Sequence, residues 1–227
     1  EISAYYNKAF ENSLHFRFGG FLTHVKNKVI KNNETERSED YYYKKRQEGF
    51  PFGQQFGYLI DYRNGNGFFN SEQELSDAGL RYDFVNPRVG DLIYQDLNQD
   101  GIIDEKDKAP VGSGNMPQFF YGITGDFKFK DFDCSLLFQG VGKWYSLYNG
   151  IGIWETSFDG VYGSLHKKAW TIERYEANEE ITSPALSINE SANHQNSDFY
   201  LYDRSYLRLK NIEIGYALPS HITKSIS

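Results

Sequence analysis

The clearest pattern in the chain is that of residues 119–138, which read FFYGITGDFKFKDFDCSLLF. Up to Phe129 the odd-numbered positions are apolar or glycine, and from Phe132 on the even-numbered positions are apolar. Strict alternation of this kind is typical of strands that have one apolar and one polar face. Because only Lys130 and Asp131 separate the two runs, we predict a tight antiparallel hairpin.

Strand signals also occur on both sides of this hairpin, before it near Leu14 and after it near Tyr206. In the later segment the parity of the apolar residues changes between Leu209 and Ile212. A bulge near Asn211, or a strand that is apolar on both faces, would explain the change. We therefore predict strands over about 13–30, 117–129, 132–145 and 198–218.

Two long connections, 31–116 and 146–197, are rich in Gly, Asn, Asp and Ser. The first must contain structure of its own, and the capping box Ser71–Glu74 predicts a short helix that ends near Ala78. The chain is thus all-β, with long strands joined by loops of very unequal length. This favours antiparallel strands of a transmembrane β-barrel. A soluble β-sandwich, with the aromatic residues packed between two sheets, is the alternative.

The composition agrees with either architecture but excludes other classes. Of 227 residues, 18 are Tyr, 18 are Phe and 3 are Trp, which makes the chain 17% aromatic, and the formal net charge is −7. An acidic chain argues against a nucleic-acid partner, and no apolar run reaches the length of about 18 residues that a transmembrane helix requires. The lone Cys134 forms no disulfide framework. In a barrel, aromatic residues at the strand ends form interfacial girdles, and the candidates here are Phe10, Phe119, Phe129, Phe132, Tyr145, Tyr200 and Tyr216.

An acidic loop at residues 96–107, DLNQDGIIDEKD, carries the densest chemical signal. Its oxygen-bearing residues have the spacing of a calcium loop, with Gly101 at the sharp turn. The last position is Asp rather than the usual Glu, and no amphipathic helix precedes the loop. The alternative is an Asx-rich turn without a metal. The expected ligands of a structural Ca²⁺ are Asp96, Asn98, Asp100, the Ile102 carbonyl, Asp104 and Asp107.

Signatures of catalysis are missing from the chain, which contains no G-x-S-x-G, H-E-x-x-H or Walker A motif. Glu155 and Asp159 are one carboxylate pair among many, and we expect no enzyme and no catalytic residue. Weak candidates for stacking on a sugar, which could equally fill a loop core, are Trp144, Tyr145, Tyr148 and Trp154.

Three further stretches add to this pattern, namely 115–122 (NMPQFFYG), 132–140 (FDCSLLFQG) and 202–219 (YDRSYLRLKNIEIGYALP). Together with 90–107 (GDLIYQDLNQDGIIDEKD), and in this order and spacing, they resemble the SusC/RagA group of TonB-dependent outer-membrane transporters. The resemblance covers most of the chain. Arg204 stands where the family commonly has Gly.

The resemblance implies more than the periodicity does. The chain would be a late part of a barrel of about 22 strands that encloses a plug. Such a protein would sit in the outer membrane, import glycans or oligopeptides with energy from the TonB complex, and carry a SusD-like surface lipoprotein as a lid. The TonB complex would act through an N-terminal region that this chain lacks, so we expect an internal piece of a longer protein.

The resemblance also gives the topology a direction. The loops 31–116 and 146–197 would be extracellular, and the turn at Lys130 and the segment from Pro219 to Ser227 would be periplasmic. Two rival functions stay open, a soluble calcium-dependent carbohydrate-binding sandwich and an extracellular enzyme that degrades polysaccharides. In a barrel Phe119, Tyr121, Ile123, Phe127 and Leu136 should face lipid, and in a sandwich they should face a second sheet.

Overall fold

The computed structural model describes residues 1–150, 152–154 and 162–219. These residues form two compact units. The sheet unit consists of residues 1–26, 116–144 and the described residues from 203 on, and the loop unit consists of residues 27–115 and 145–202. The sequence predicts a partial barrel over residues 1–227 with two long loops, and in the structure these long connections form a compact unit with a core of their own.

The regular elements follow one another along the chain as eleven strands and two α-helices within the described residues. They are β1 (Ile2–Ala9), β2 (Leu14–His24), β3 (Gln55–Gly57), α1 (Glu72–Ala78), β4 (Arg81–Tyr82), β5 (Ile102–Ile103), β6 (Ala109–Val111), β7 (Phe119–Phe129), β8 (Phe132–Gly142), β9 (Tyr145–Leu147), α2 (Ile172–Glu176), β10 (Leu201–Asp203) and β11 (Tyr206–Tyr216). Neither α-helix, of 7 and 5 residues, is long and apolar enough to cross a bilayer.

The sheet unit is one antiparallel sheet with the strand order β1-β2-β7-β8-β11. Four of its strands have 11 residues each. The hairpin of β7 and β8 turns at Lys130 and Asp131 as predicted, with Phe129 paired to Phe132 and with Lys130 at φ 54°. The chain leaves the sheet for the loop unit after β2 and again after β8. Both points lie at the end of the sheet opposite the Lys130–Asp131 turn, and we call this end the loop end.

β1 is a strand that the sequence analysis did not predict. It pairs with β2 from Ile2 opposite Leu22 to Ala9 opposite His15. The alternation in β1 is weak, because Ala4 is small and Lys8 interrupts the apolar positions. Pairing with a neighbouring strand, which no local pattern reports, extends the sheet by one strand here.

The last strand contains the predicted bulge. The register of β11 against β8 shifts between Leu209, which pairs with Phe138, and Asn211, which pairs with Leu137. Because the shift absorbs one residue, Leu209 before it and Ile212 after it lie on the same face of the sheet. The second explanation, a strand apolar on both faces, is therefore wrong.

The strand ends differ from the predicted ones. β2 ends at His24 rather than near Ile30, and β8 ends at Gly142. The segment predicted to form a strand from 198 on begins as a 3-10 turn and the short β10, and the long strand starts only at Tyr206.

One face of the five-stranded sheet is almost entirely apolar. The pairing places on this apolar face Ile2, Ala4, Tyr6, Leu14, Phe16, Phe18, Gly20, Leu22, Phe119, Tyr121, Ile123, Gly125, Phe127, Phe129, Phe132, Cys134, Leu136, Phe138, Gly140, Leu207, Leu209, Ile212, Ile214 and Tyr216, with Lys8 and His24 as the exceptions. The apolar face is exposed, since Leu207 is 58% and Ile123 is 42% exposed. The expectation of a sandwich is wrong for the described residues, because their other sheets have only two strands each.

Close packing on the apolar face gives a first prediction. A Cβ at Gly140 would collide with the Tyr206 carbonyl oxygen and the Tyr121 ring, whereas a Cβ at Gly125 would meet no atom within 4 Å. We expect Gly140→Ala to lower the free energy of unfolding of the full-length protein by about 1–3 kcal/mol. Gly125→Ala, the matched control in the adjacent strand, should change it by much less. Urea-dependent unfolding in lipid vesicles measures both, and equal effects would contradict the packing argument.

The loop unit is built around an aromatic core of its own. The fully buried side chains include Tyr58, Phe69 and Tyr94, and Leu75 of α1 packs against this core. Half of the predicted capping box is present: the Glu74 amide donates to the Ser71 hydroxyl at 3.1 Å, whereas the Glu74 carboxylate accepts from the Asn70 amide at 2.7 Å instead of the Ser71 amide. Seven of the aromatic residues are therefore buried in the core of the loop unit and do not lie on the sheet. The core aromatics are Tyr58, Phe68, Phe69, Tyr82, Tyr94, Trp170 and Tyr200.

Candidate functional site

The apolar face has the height of a bilayer core. An 11-residue strand is about 36 Å long at about 3.3 Å per residue. Tilted by about 45°, it spans about 25 Å, which is the height of the apolar band of outer-membrane barrels. Residues on the polar face alternate with it: Arg17 stands opposite Asp126, and Ser135 donates to Asp126 at 2.8 Å. A sheet that is apolar on one side and charged on the other separates lipid from an aqueous interior.

Aromatic rings mark both ends of the apolar face, as expected for girdles. Four of the candidates are exposed near the hairpin end, namely Phe10, Phe129, Phe132 and Tyr216, and Phe119 lies at the loop end. Two candidates do not belong to the girdles. Tyr145 lies in β9 of the loop unit, and Tyr200 is 2% exposed in the loop-unit core. The prediction failed for these two because it assumed strands that continue past Gly142 and begin at 198.

The acidic loop folds around its own backbone amides. Asp96 accepts from the Gln99 and Gly101 amides at 2.7 and 2.8 Å, and Asp100 accepts from the Ile102 amide at 2.9 Å. Gly101 has φ 79°, the left-handed conformation that the sharp turn requires. The Asp100–Ile102 bond is an Asx turn, as in the alternative considered for the sequence, whereas the two Asp96 bonds reach three and five residues along the loop.

Asp107 is the structural centre of the acidic loop. Its fully buried carboxylate accepts from the Leu97, Asn98 and Asp104 amides at 2.9, 3.4 and 3.0 Å. Burial raises the pKa of Asp107 above its usual range, and the nearby Asp96 carboxylate adds to the rise, whereas the three amides oppose it. A buried carboxylate with an acidic neighbour is an arrangement that a cation would stabilise.

The chain itself places one positive charge beside the carboxylates of the acidic loop. The Lys106 ammonium lies 3.1 Å from Asp40, 3.5 Å from Asp104 and 3.7 Å from Asp100. The hydrogen bond to Asp40 and the surrounding carboxylates raise the pKa of Lys106 above its usual range. Among the described residues, no group of three or more His, Cys, Asp or Glu side chains is disposed to hold a metal ion. The calcium ligation therefore stays a prediction.

The four weak stacking candidates have separate surroundings. The Arg204 guanidinium lies 3.9 Å from the centre of the Trp144 ring. Tyr148, which is 40% exposed, stacks on Tyr202 with ring centres 4.6 Å apart. Trp154 packs against the loop-unit core and stacks on His194. The Tyr145 amide donates to Ser113 at 3.4 Å. These contacts favour the loop-core interpretation for Trp154, and Glu155 and Asp159 lie outside the described residues.

Sequence reasoning missed the polar pairs that tie together the two segments of the loop unit. The Asn193 side chain donates to Asp91 at 2.8 Å and accepts from the Leu92 amide at 2.8 Å. Asp198 accepts from the Ile60 amide at 2.9 Å, and burial raises the pKa of Asp198. Each pair spans more than 100 residues of sequence, so no local motif reveals it.

The geometry defines the class of the protein: an antiparallel sheet with an exposed apolar band, aromatic ends and a polar reverse face is a wall segment of an outer-membrane β-barrel. Two curated relatives from Formosa agariphila agree. The TonB-dependent receptor P26 is 28% identical over 155 residues, 67% of this chain and 15% of the relative. The TonB-dependent receptor P3 is 29% identical over 131 residues, 57% of this chain and 12% of the relative. No family model matches the chain.

Solved structures give the same fold. The RagAB peptide importer in its open-open state matches 97% of this chain and 22% of its own with a TM-score of 0.59 at 14% identity. The RagAB peptide transporter matches the same shares with a TM-score of 0.59 at 15% identity. The predicted resemblance to TonB-dependent receptors of the SusC/RagA type is thus confirmed, together with the outer-membrane location. The chain spans less than a quarter of the length of each of these proteins.

Proposed function

We propose that this chain is part of a TonB-dependent importer that takes up nutrients across the outer membrane. The observation that carries the proposal is the apolar face, which extends across five strands with Lys8 and His24 as its polar exceptions and stays exposed. The sheet unit would be a stretch of the barrel wall, with outer-membrane lipid against its apolar face. Both relatives with matching sequence are TonB-dependent receptors and not enzymes by name, which supports a non-enzymatic role.

The finer assignments are a substrate class and two partners. We propose glycans or oligopeptides as the cargo, a SusD-like lipoprotein as the lid, and the TonB complex as the energy source, acting through an N-terminal region outside these residues. The likeness to RagAB, a peptide importer, supports the barrel fold. This fold is compatible with either glycans or oligopeptides as the cargo. The loop unit, with its compact core, would supply structured extracellular loops.

Uptake by cells tests the proposed import. Cells that produce the full-length protein together with the proposed SusD-like lipoprotein should accumulate a labelled oligosaccharide or oligopeptide mixture. Removing the proton gradient with a protonophore should abolish the accumulation. Uptake that is unchanged when the gene is deleted would overturn the proposal, and the fraction of the mixture that is consumed would identify the cargo.

We also propose a structural calcium ion in the acidic loop. Every candidate offers oxygen, the donor that a hard cation takes, although among the described residues no three carboxylates are disposed around one point. The candidates are Asp96, Asn98, Asp100, the Ile102 carbonyl, Asp104 and Asp107. A bound ion would offset the buried charge of Asp107 and brace the loop. Lys106 competes with such an ion, since its ammonium already neutralises Asp100 and Asp104.

Isothermal titration of the full-length protein tests calcium directly. Asp100→Ala should weaken calcium binding by about tenfold or more, because a charged ligand is lost, and Lys106→Gln should strengthen it. Asp77→Ala, which removes an acid of α1 outside the acidic loop, is the control and should leave binding unchanged. The absence of heat in the wild type and in Lys106→Gln would remove the metal from the proposal.

A further inference from the structure

A cluster of aromatic rings and cations lies at the loop end of the sheet unit. We call His24, Phe119, Lys143, Trp144 and Arg204 the aromatic–cation rim. The His24 and Phe119 rings stack with their centres 4.7 Å apart, and the Lys143 ammonium lies 5.6 Å from the centre of the Phe119 ring. The Arg204 guanidinium lies 3.9 Å from the centre of the Trp144 ring.

The rim is continuous across four strands. His24 of β2 pairs with Phe119 of β7, and Phe119 pairs with Gly142, the residue before Lys143. The Arg204 amide donates to the Trp144 carbonyl at 2.7 Å, just before β11 begins. His24, Lys143 and Arg204 are exposed. Because His24 and Phe119 are on the apolar face, the rim adjoins the edge of that face at the loop end.

The charge at the loop end has the opposite sign to that of the whole chain. The charged side chains of the sheet unit at this edge are Lys26, Lys143 and Arg204 against Glu1 and Asp203, whereas Arg208 lies further along β11 on the polar face, opposite Gln139. At the hairpin end the charges balance, with Lys8, Lys128 and Lys130 against Glu11, Asp131 and Asp133. In a chain of net charge −7, a positive loop end is a local feature that attracts anions.

We propose that the aromatic–cation rim binds the phosphate groups of anionic lipid headgroups at the outer boundary of the membrane. The inference rests on the proposed function, because it requires the apolar face to contact lipid. Charge complementarity supports the headgroup, and continuity with the apolar face supports the attached acyl chains. Cations near a bilayer surface attract anionic lipid, and aromatic rings are enriched at headgroup depth. Lys143 and Arg204 would contact the phosphate, and the Phe119 and Trp144 rings would position the ammonium and the guanidinium through cation–π contacts.

Native mass spectrometry of the detergent-solubilised full-length protein measures the binding of added phosphatidylglycerol. Lys143→Gln and Arg204→Gln should each weaken this binding about fivefold. Lys143→Arg, which keeps the positive charge, should bind phosphatidylglycerol as the wild type does. Binding of zwitterionic phosphatidylcholine should not change. Inorganic phosphate, which lacks acyl chains, should not displace the bound lipid.

Lys130→Gln is the matched control, because the Lys130 ammonium lies 5.3 Å from the Phe129 ring centre and the residue shares the positive φ of Lys143. Equal phosphatidylglycerol binding by the wild type, the rim variants and the Lys130 variant would overturn the inference, and so would displacement by inorganic phosphate. Insertion of each protein into phosphatidylcholine vesicles is measured in parallel. Failure of the wild type to insert would overturn the proposed function itself, whereas normal insertion with unselective lipid binding would overturn only the rim.

Discussion

Replacing Ile123 by Arg should destabilise the full-length protein in lipid vesicles. Ile123 lies in the middle of β7 on the apolar face, between Gly20 and Phe138 in the pairing, and 42% of it is exposed. A charge at this depth would have to leave water for hydrocarbon. The expected cost is about 2–4 kcal/mol in the free energy of folding into the bilayer, measured by urea-dependent folding into phosphatidylcholine vesicles.

The adjacent residue supplies the matched control for this change. Thr124 lies on the polar face, where it pairs with Gly19 and Leu137 and has Asp126 two residues away. Thr124→Arg should therefore fold into vesicles with a free energy within about 1 kcal/mol of the wild type. If Thr124→Arg lowered the free energy of folding into vesicles as much as Ile123→Arg, or if neither variant changed it, the sheet would not be a membrane wall.

Replacing Tyr94 by Ala should unfold the loop unit locally. Tyr94 is fully buried, its ring packs against Tyr58 and Tyr82, and its hydroxyl donates to the Ala192 carbonyl at 3.0 Å. Truncating a buried aromatic side chain costs about 3–5 kcal/mol, and the carbonyl of Ala192 loses its partner as well. Hydrogen exchange of the full-length protein should show lost protection across the loop unit and unchanged protection in β7 and β8.

Tyr42→Ala is the control, since Tyr42 is a tyrosine of the same unit that is 56% exposed. It should leave protection nearly unchanged. Loss of protection that spreads into the strands of the sheet after Tyr94→Ala would contradict the independence of the loop-unit core from the sheet. Unchanged protection everywhere would contradict the central place of Tyr94 in that core.

Features that depend on residues close together in the sequence could be predicted, and features that depend on distant residues could not. The hairpin of β7 and β8 and the bulge in β11 were predictable, because alternation and parity are local properties of the chain. β1 was missed, because its pairing with β2 rather than its own pattern makes it a strand. The core position of Tyr200 was missed for a related reason: its neighbours come from a distant segment, and the ring was therefore assigned to the membrane interface.

The candidate sites show the same division. The acidic loop was visible in the sequence because its spacing is local, although spacing alone does not separate Asx turns from a metal site. The ammonium of Lys106 between Asp40 and Asp104, and the pair of Asn193 with Asp91, join residues that only the folded chain brings together. The rim could be found only after the pairing had placed His24 beside Phe119.

The two-segment construction of the loop unit has a consequence for the order of assembly. The bond between Tyr94 and Ala192 joins residues 98 positions apart, and the β7–β8 hairpin lies between them in the sequence. The hairpin therefore needs only residues that are neighbours in the sequence, whereas the core of the first loop needs residues from beyond the hairpin. Until residues 192–200 have packed against it, the first segment lacks the partners of Tyr94, Leu92 and Ile60. Closure over such a long separation is slow compared with hairpin formation, so the wall strands should pair first and the loop core should form last.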